Sequence, residues 1–137
     1  MHTDHKTSLE ADALMTICVA MVKIDHKVHT DEIARLRTLA YLNPMYKDVE
    51  NVDEYVGSIA QKIAAIGDEA ALEKAIASLS IPLRETAYAW AAEMAHADSR
   101  ILNEEHRFLS LLKNKLGLHG RLVGNINAVT AIRNRTL

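Results

Sequence analysis

Apolar residues recur along this chain at intervals of three and four, the spacing of one helix face, and no segment reads convincingly as a strand. From about Leu9 to Ile24, the positions Leu14, Ile17, Cys18, Met21 and Val22 form such a face. Val19 and Ile24 spread it nearly all round. A helix apolar on every side belongs at the centre of a domain. Thr7 and Glu10 stand at capping-box spacing and give it a start. A polar stretch comes next, Asp25-His26-Lys27-Val28-His29. Thr30 is then a good N-cap, Asp31 and Glu32 fill a first turn, and Ile33, Leu36, Leu39 and Ala40 make the next stripe.

Asn43-Pro44 closes that helix, because the residue before proline disfavours the α region. Asn51 and Glu54 offer a second capping box, and Val52, Tyr55, Val56, Ile59, Ile63 and Ile66 continue at helical spacing. Gly67 stops this helix and Asp68 caps the next, which carries Leu72, Ile76 and Leu79. Ser80 with Pro82 opens another, since proline is tolerated in a first turn. Its run from Ala87 to Ala95 is apolar almost all round, so it is a second central helix. Asn103, Glu104 and Glu105 begin a helix with Phe108, Leu109, Leu112 and Leu116, and Gly117 sits at its C-terminal cap position. Leu122, Ile126, Val129 and Ile132 predict a short last helix. The expectation is an all-α bundle of about seven helices.

Composition narrows this picture. With 137 residues the chain makes one domain, and such a domain buries roughly two-thirds of its unfolded surface. Aromatic residues at 4%, with Gly 5 and Pro 2, argue against a many-stranded sandwich or barrel. Small residues from Ala87 to Ala97 imply close helix packing without a large cavity, which leaves function to loops and surface. A net charge of -2 gives no electrostatic reason to expect a nucleic-acid partner. The single Cys18, in an apolar run, reads as a buried thiol in a reducing compartment. The longest near-apolar stretch, Ala13 to Val22, is about half the ~20 residues of a spanning helix and lacks the flanks of a signal peptide. Cytoplasmic localisation without membrane insertion is expected. Residues 1–7, with His2, Asp4 and His5, are expected to be a disordered end.

An offset of about 73 residues superposes the two central helices, each with its succeeding loop and helix, as approximate copies over 9–44 and 82–118. Met21 falls on Met94, Asp25 on Asp98, Val28 on Ile101, Thr30 on Asn103, Asp31 on Glu104 and Glu32 on Glu105. The agreement in the loops fixes loop length, cap and acid positions together, which two helical registers alone do not. The segments Ala20 to Glu32 and Ala95 to Glu105 resemble the two signature loops of the tellurite-resistance TerB-like family. That resemblance implies about seven helices in a pseudo-twofold repeat. It also implies a role in tellurite, metal or oxidative stress, and acidic loop positions at Asp25 and Glu32 in the first copy and Asp98 and Glu105 in the second. The glycine that usually comes after the Asp is His26 here, and Ser99 in the second copy.

These four carboxylates suit a hard divalent cation, which wants several oxygen ligands. The spacing is not that of an EF-hand: the acids are too close and the central Gly is missing. The competing reading is structural, with first-turn acids meeting the positive end of a helix or a basic partner. His26, His29 and His96 lie in or beside the loops but have no histidine at their counterpart positions, so they read as surface residues. Glu93 and His96 have Glu-x-x-His spacing, yet the first copy has Ala20 and Lys23 there, against a di-iron site. No phosphate loop, zinc-helix motif or nucleophile elbow is present. The expectation is a non-enzymatic stress module, with other stress-resistance proteins as partners. The alternative is a helical protein-interaction domain whose acids only cap helices or meet a basic partner.

Overall fold

A computed structural model describes residues 7–24, 30–96 and 103–135, and for residues 30–32 the backbone alone. Seven α-helices account for most of them: α1 (Leu9–Lys23), α2 (Thr30–Leu42), α3 (Val52–Ile66), α4 (Asp68–Ala77), α5 (Ile81–Ala95), α6 (Asn103–Leu116) and α7 (Gly120–Arg133). A single 3-10 turn, Pro44–Tyr46, comes after α2, and there is no strand among the described residues.

Local chemistry explains the helix ends. Ser8, one residue later than the predicted capping box, caps α1 by accepting from the Ala11 N–H at 3.0 Å. Thr7 instead donates its hydroxyl to Asp12 Oδ1 at 2.6 Å, so it is tied to α1 rather than part of a loose end. Asn43 accepts from the Met45 N–H, which turns the chain after α2, and Asn51 caps α3 through the Glu54 N–H. Gly67 ends α3 at a φ of 95° that side chains resist, and it also serves as the residue before α4. Asp68 therefore lies inside the first turn of α4 rather than at its cap, where its charge still complements the helix dipole. Gly117, at φ 71°, closes α6 as the sequence predicts, with its N–H and that of Leu118 both on the Lys113 carbonyl.

The core forms around α1 and α5, which pack on one another. Leu14, Ile17, Cys18 and Met21 of α1 meet a setting that includes Ala87, Ala91, Ala92 and Met94 of α5, all of them buried. Helices α3 and α4 cover α1, helices α6 and α7 cover α5, and α2 leans on both. Shifted by 73 residues, α1 falls on 82–96 and α2 on 103–115, against the observed Ile81–Ala95 and Asn103–Leu116.

Helix α7 is longer than the short last helix predicted, and it turns another face inward. Val123 and Thr130 are its buried residues, while Val129 and Ile132 are 54% and 56% exposed. Thr130 can be buried because its hydroxyl donates to the Ile126 carbonyl at 2.7 Å, which leaves no unmet polar group. Trp90, within the apolar run of α5, is only half-buried at the edge of the core.

Candidate functional site

The predicted carboxylates divide sharply. Asp25 and Asp98, with His26 and His29, lie outside the described residues, as does the side chain of Glu32. Glu105 is the one whose side chain is described. It sits in the first turn of α6 and is 3% exposed, and among the described residues it is the one acidic side chain so buried. Its neighbour Glu104 is exposed. A buried carboxylate needs compensation, and the positive end of α6 supplies part of it. Among the described residues, no three His, Cys, Asp or Glu side chains gather as a metal site would require.

Two contacts orient the central pair. At one end the Ser80 N–H, just before α5, lies 3.4 Å from Glu10 of α1. Toward the other, Arg35 of α2 forms an ion pair with Glu93, near the end of α5. Helices α1 and α5 therefore begin together, and the first turns of α2 lie beside the last turn of α5.

Glu93 is the centre of a polar knot that no local signal in the sequence announces. Its carboxylate accepts from Arg35, from Arg133 Nη1 at 2.8 Å and from Asn134 Nδ2 at 3.3 Å. Arg35 Nη2 also donates to Asn134 Oδ1 at 2.5 Å. The knot joins α2, α5 and the end of α7 across 58 and 99 residues of chain. His96, the other half of the Glu-x-x-His pair, places Nδ1 2.9 Å from the Ala92 carbonyl.

A second polar cluster ties α1 to α3. Asp12 Oδ1 accepts from the hydroxyls of Tyr55 and Thr7, both at 2.6 Å, and the Tyr46 hydroxyl donates to the Ala11 carbonyl at 2.8 Å. Burial, and for Tyr55 the neighbouring Asp12 carboxylate, push both phenols well above the ordinary tyrosine range. Burial alone pushes the Cys18 thiol up to about 12, which keeps it protonated and a poor nucleophile.

No described helix is long and apolar enough to cross a membrane. Comparison with curated proteins and with solved structures finds no match. The family model described as tellurite resistance protein TerB, however, matches residues 11–128, which include six of the seven helices in full or nearly so and both acidic connections. On the strength of that match over most of its length, the chain belongs to the TerB tellurite-resistance family.

Proposed function

We propose that this chain is a non-enzymatic module of tellurite and metal stress resistance that holds a divalent cation between its two acidic inter-helix connections. Asp25 and Glu32 from the first, with Asp98 and Glu105 from the second, would supply the ligands. Membership of the TerB family supports the stress-resistance part. The observation that carries the metal part is Glu105, a carboxylate withdrawn from solvent in the first turn of α6. The donor set is all oxygen, which fits a hard cation such as Ca²⁺ or Mg²⁺ better than a thiolate-seeking metal.

Thermal melting in EDTA and in each of Ca²⁺, Mg²⁺, Mn²⁺ and Zn²⁺ tests this reading. A ligand at about 100 times its Kd stabilises the native state by roughly 2.7 kcal/mol. In a domain of this size that is a rise of several degrees. The rise should vanish in an Asp25→Ala/Asp98→Ala variant. No rise with any ion, or the same rise in the double variant, would overturn the proposal.

One observation favours a second reading, a helical interaction domain whose acids serve helix ends. Acidic residues occupy the first turns of α1, α3, α4 and α6 alike. On that reading Glu105→Gln lowers stability equally with and without added cation. Capture of a partner that is lost on Glu32→Ala and Glu105→Ala, with metal content unchanged, would favour it over the first.

A further inference from the structure

Helices α2, α5 and α7 frame an open cleft of about 610 Å³, in the size range of small-ligand sites. Each helix contributes both charged and apolar side chains to the lining, with apolar Met94 beside Glu93 on α5. The lining runs from Arg35 to Leu42 on α2, from Glu93 to Trp90 on α5, and from Arg133 to Ile126 on α7. At 1.5 Å per residue, the longer of these runs span about 10 Å. The charged ends meet in the Glu93 knot, and the apolar ends lie together away from it.

The knot has a surplus of charge. Among the described residues two guanidinium groups face a single carboxylate, so one positive charge is left over at one end of an apolar trough. Arg133 is 64% exposed, and its one bond among the described residues is the Nη1 contact to Glu93, which leaves its other N–H groups for a ligand. At the far end Leu42 is 70% exposed on the rim, and Val129, midway along the α7 side, is 54% exposed. Water covers both poorly.

We infer that this cleft binds a single-chain aliphatic carboxylate, with its head on Arg133 and its chain lying over Trp90 toward Leu42 and Ile126. One negative charge matches the one surplus positive charge, and the guanidinium fork fits a carboxylate with two parallel hydrogen bonds. A dianionic phosphate would overshoot that charge, and a cationic amphiphile would meet repulsion. The site uses none of the acidic loop residues, so it stands or falls independently of the cation reading.

Trp90 is the only tryptophan in the chain, so its emission reports directly on the cleft. Titration with decanoate below its micelle concentration should shift that emission to the blue and saturate. Decanol and decyltrimethylammonium should not saturate it over the same range. Arg133→Gln, at an exposed position, should weaken decanoate by about tenfold or more, as loss of a charged hydrogen bond does. Leu42→Gln, neutral and at a position 70% exposed, should weaken it through the chain end while the fold, followed by circular dichroism, stays intact. An unresponsive Trp90, equal binding of decanol, or unchanged affinity in Arg133→Gln would overturn the inference. So would self-association that Leu42→Gln abolishes and decanoate leaves untouched, which would assign the face to a second copy of the chain.

Discussion

The hydroxyl of Tyr55 donates to an Asp12 carboxylate oxygen 2.6 Å away, in a polar cluster set against the apolar core. Replacing it by Phe keeps the ring and removes the donor. Tyr55→Phe should lower stability by about 1.5 kcal/mol, the low end for a bond to a charged group, because Thr7 still serves the same oxygen. Tyr46→Phe, which loses only a bond to the neutral Ala11 carbonyl, should lower it by about 1 kcal/mol. Urea denaturation of the two variants checks the order. The same residues set the alkaline limit of the fold. The Cys18 thiol ionises near 9 when unfolded and near 12 when folded, and the buried phenols also hold their protons longer in the native state. Above pH 9 the unfolded chain thus binds fewer protons than the folded one, so stability is whole below that value and falls as pH rises toward 12. The thiol accounts for about 1.4 kcal/mol per pH unit of that slope. Cys18→Ala, though less stable at neutral pH, should show a correspondingly flatter decline in its urea midpoint between pH 9 and 12. An unchanged slope would mean that the thiol is not sealed from water.

At the scale of single elements, three glycines separate the physics of a helix end from that of a helix middle. Gly67, at φ 95° and ψ 150°, occupies a region nearly closed to other residues, and Gly67→Ala should cost about 1–3 kcal/mol. Gly117, at φ 71°, needs only the left-handed conformation, so Gly117→Ala should cost about 1 kcal/mol. Nothing lies within 4 Å of a Cβ built at either position, so backbone strain is the whole effect. Gly57, exposed in the middle of α3, also has that space, and Gly57→Ala should gain about 0.5–1 kcal/mol. Thermal melts of the three variants should fall in that order, and Gly67→Ala melting above Gly117→Ala would refute the argument. These ends were legible in the sequence because capping is a matter of a few neighbouring residues. Where Thr7 and Ser8 compete for one cap, the pattern alone misplaced it by a residue. The inward face of α7 was not legible. A hydroxyl that bonds its own helix buries as easily as a methyl group, so Thr130 goes in while Val129 and Ile132 stay out. The acidic connections stand as a repeated loop pattern in the sequence, and Asp25 and Asp98 within them lie outside the described residues. The Glu93 knot was not legible, because its partners meet only after the chain has folded back over 58 and 99 residues.

Across the whole molecule, the two central helices are clad unequally. Helix α1 is wrapped by α2, α3 and α4, whereas α7 rests mainly on α5, with few buried side chains of its own and the Glu93 knot as its charged anchor. An element held by so little apolar area should open before the rest of the domain does. Hydrogen exchange distinguishes this from a single cooperative unit, because a bond affects an opening only if that opening breaks it. Arg133→Gln weakens a contact to Glu93 that is lost both when α7 detaches and when the whole chain unfolds. It should therefore speed exchange at Val123–Thr130 of α7 and at Leu14–Cys18 of α1 by similar factors, about tenfold for each 1.4 kcal/mol removed. Tyr55→Phe touches only the α1–α3 side. It should speed exchange in α1 by about tenfold and leave α7 unchanged, since the detachment of α7 keeps the Asp12 cluster whole. If Tyr55→Phe speeds both helices alike, α7 opens only with the entire fold. The knot at Glu93 would then be a feature of global stability rather than the hinge of a separable helix.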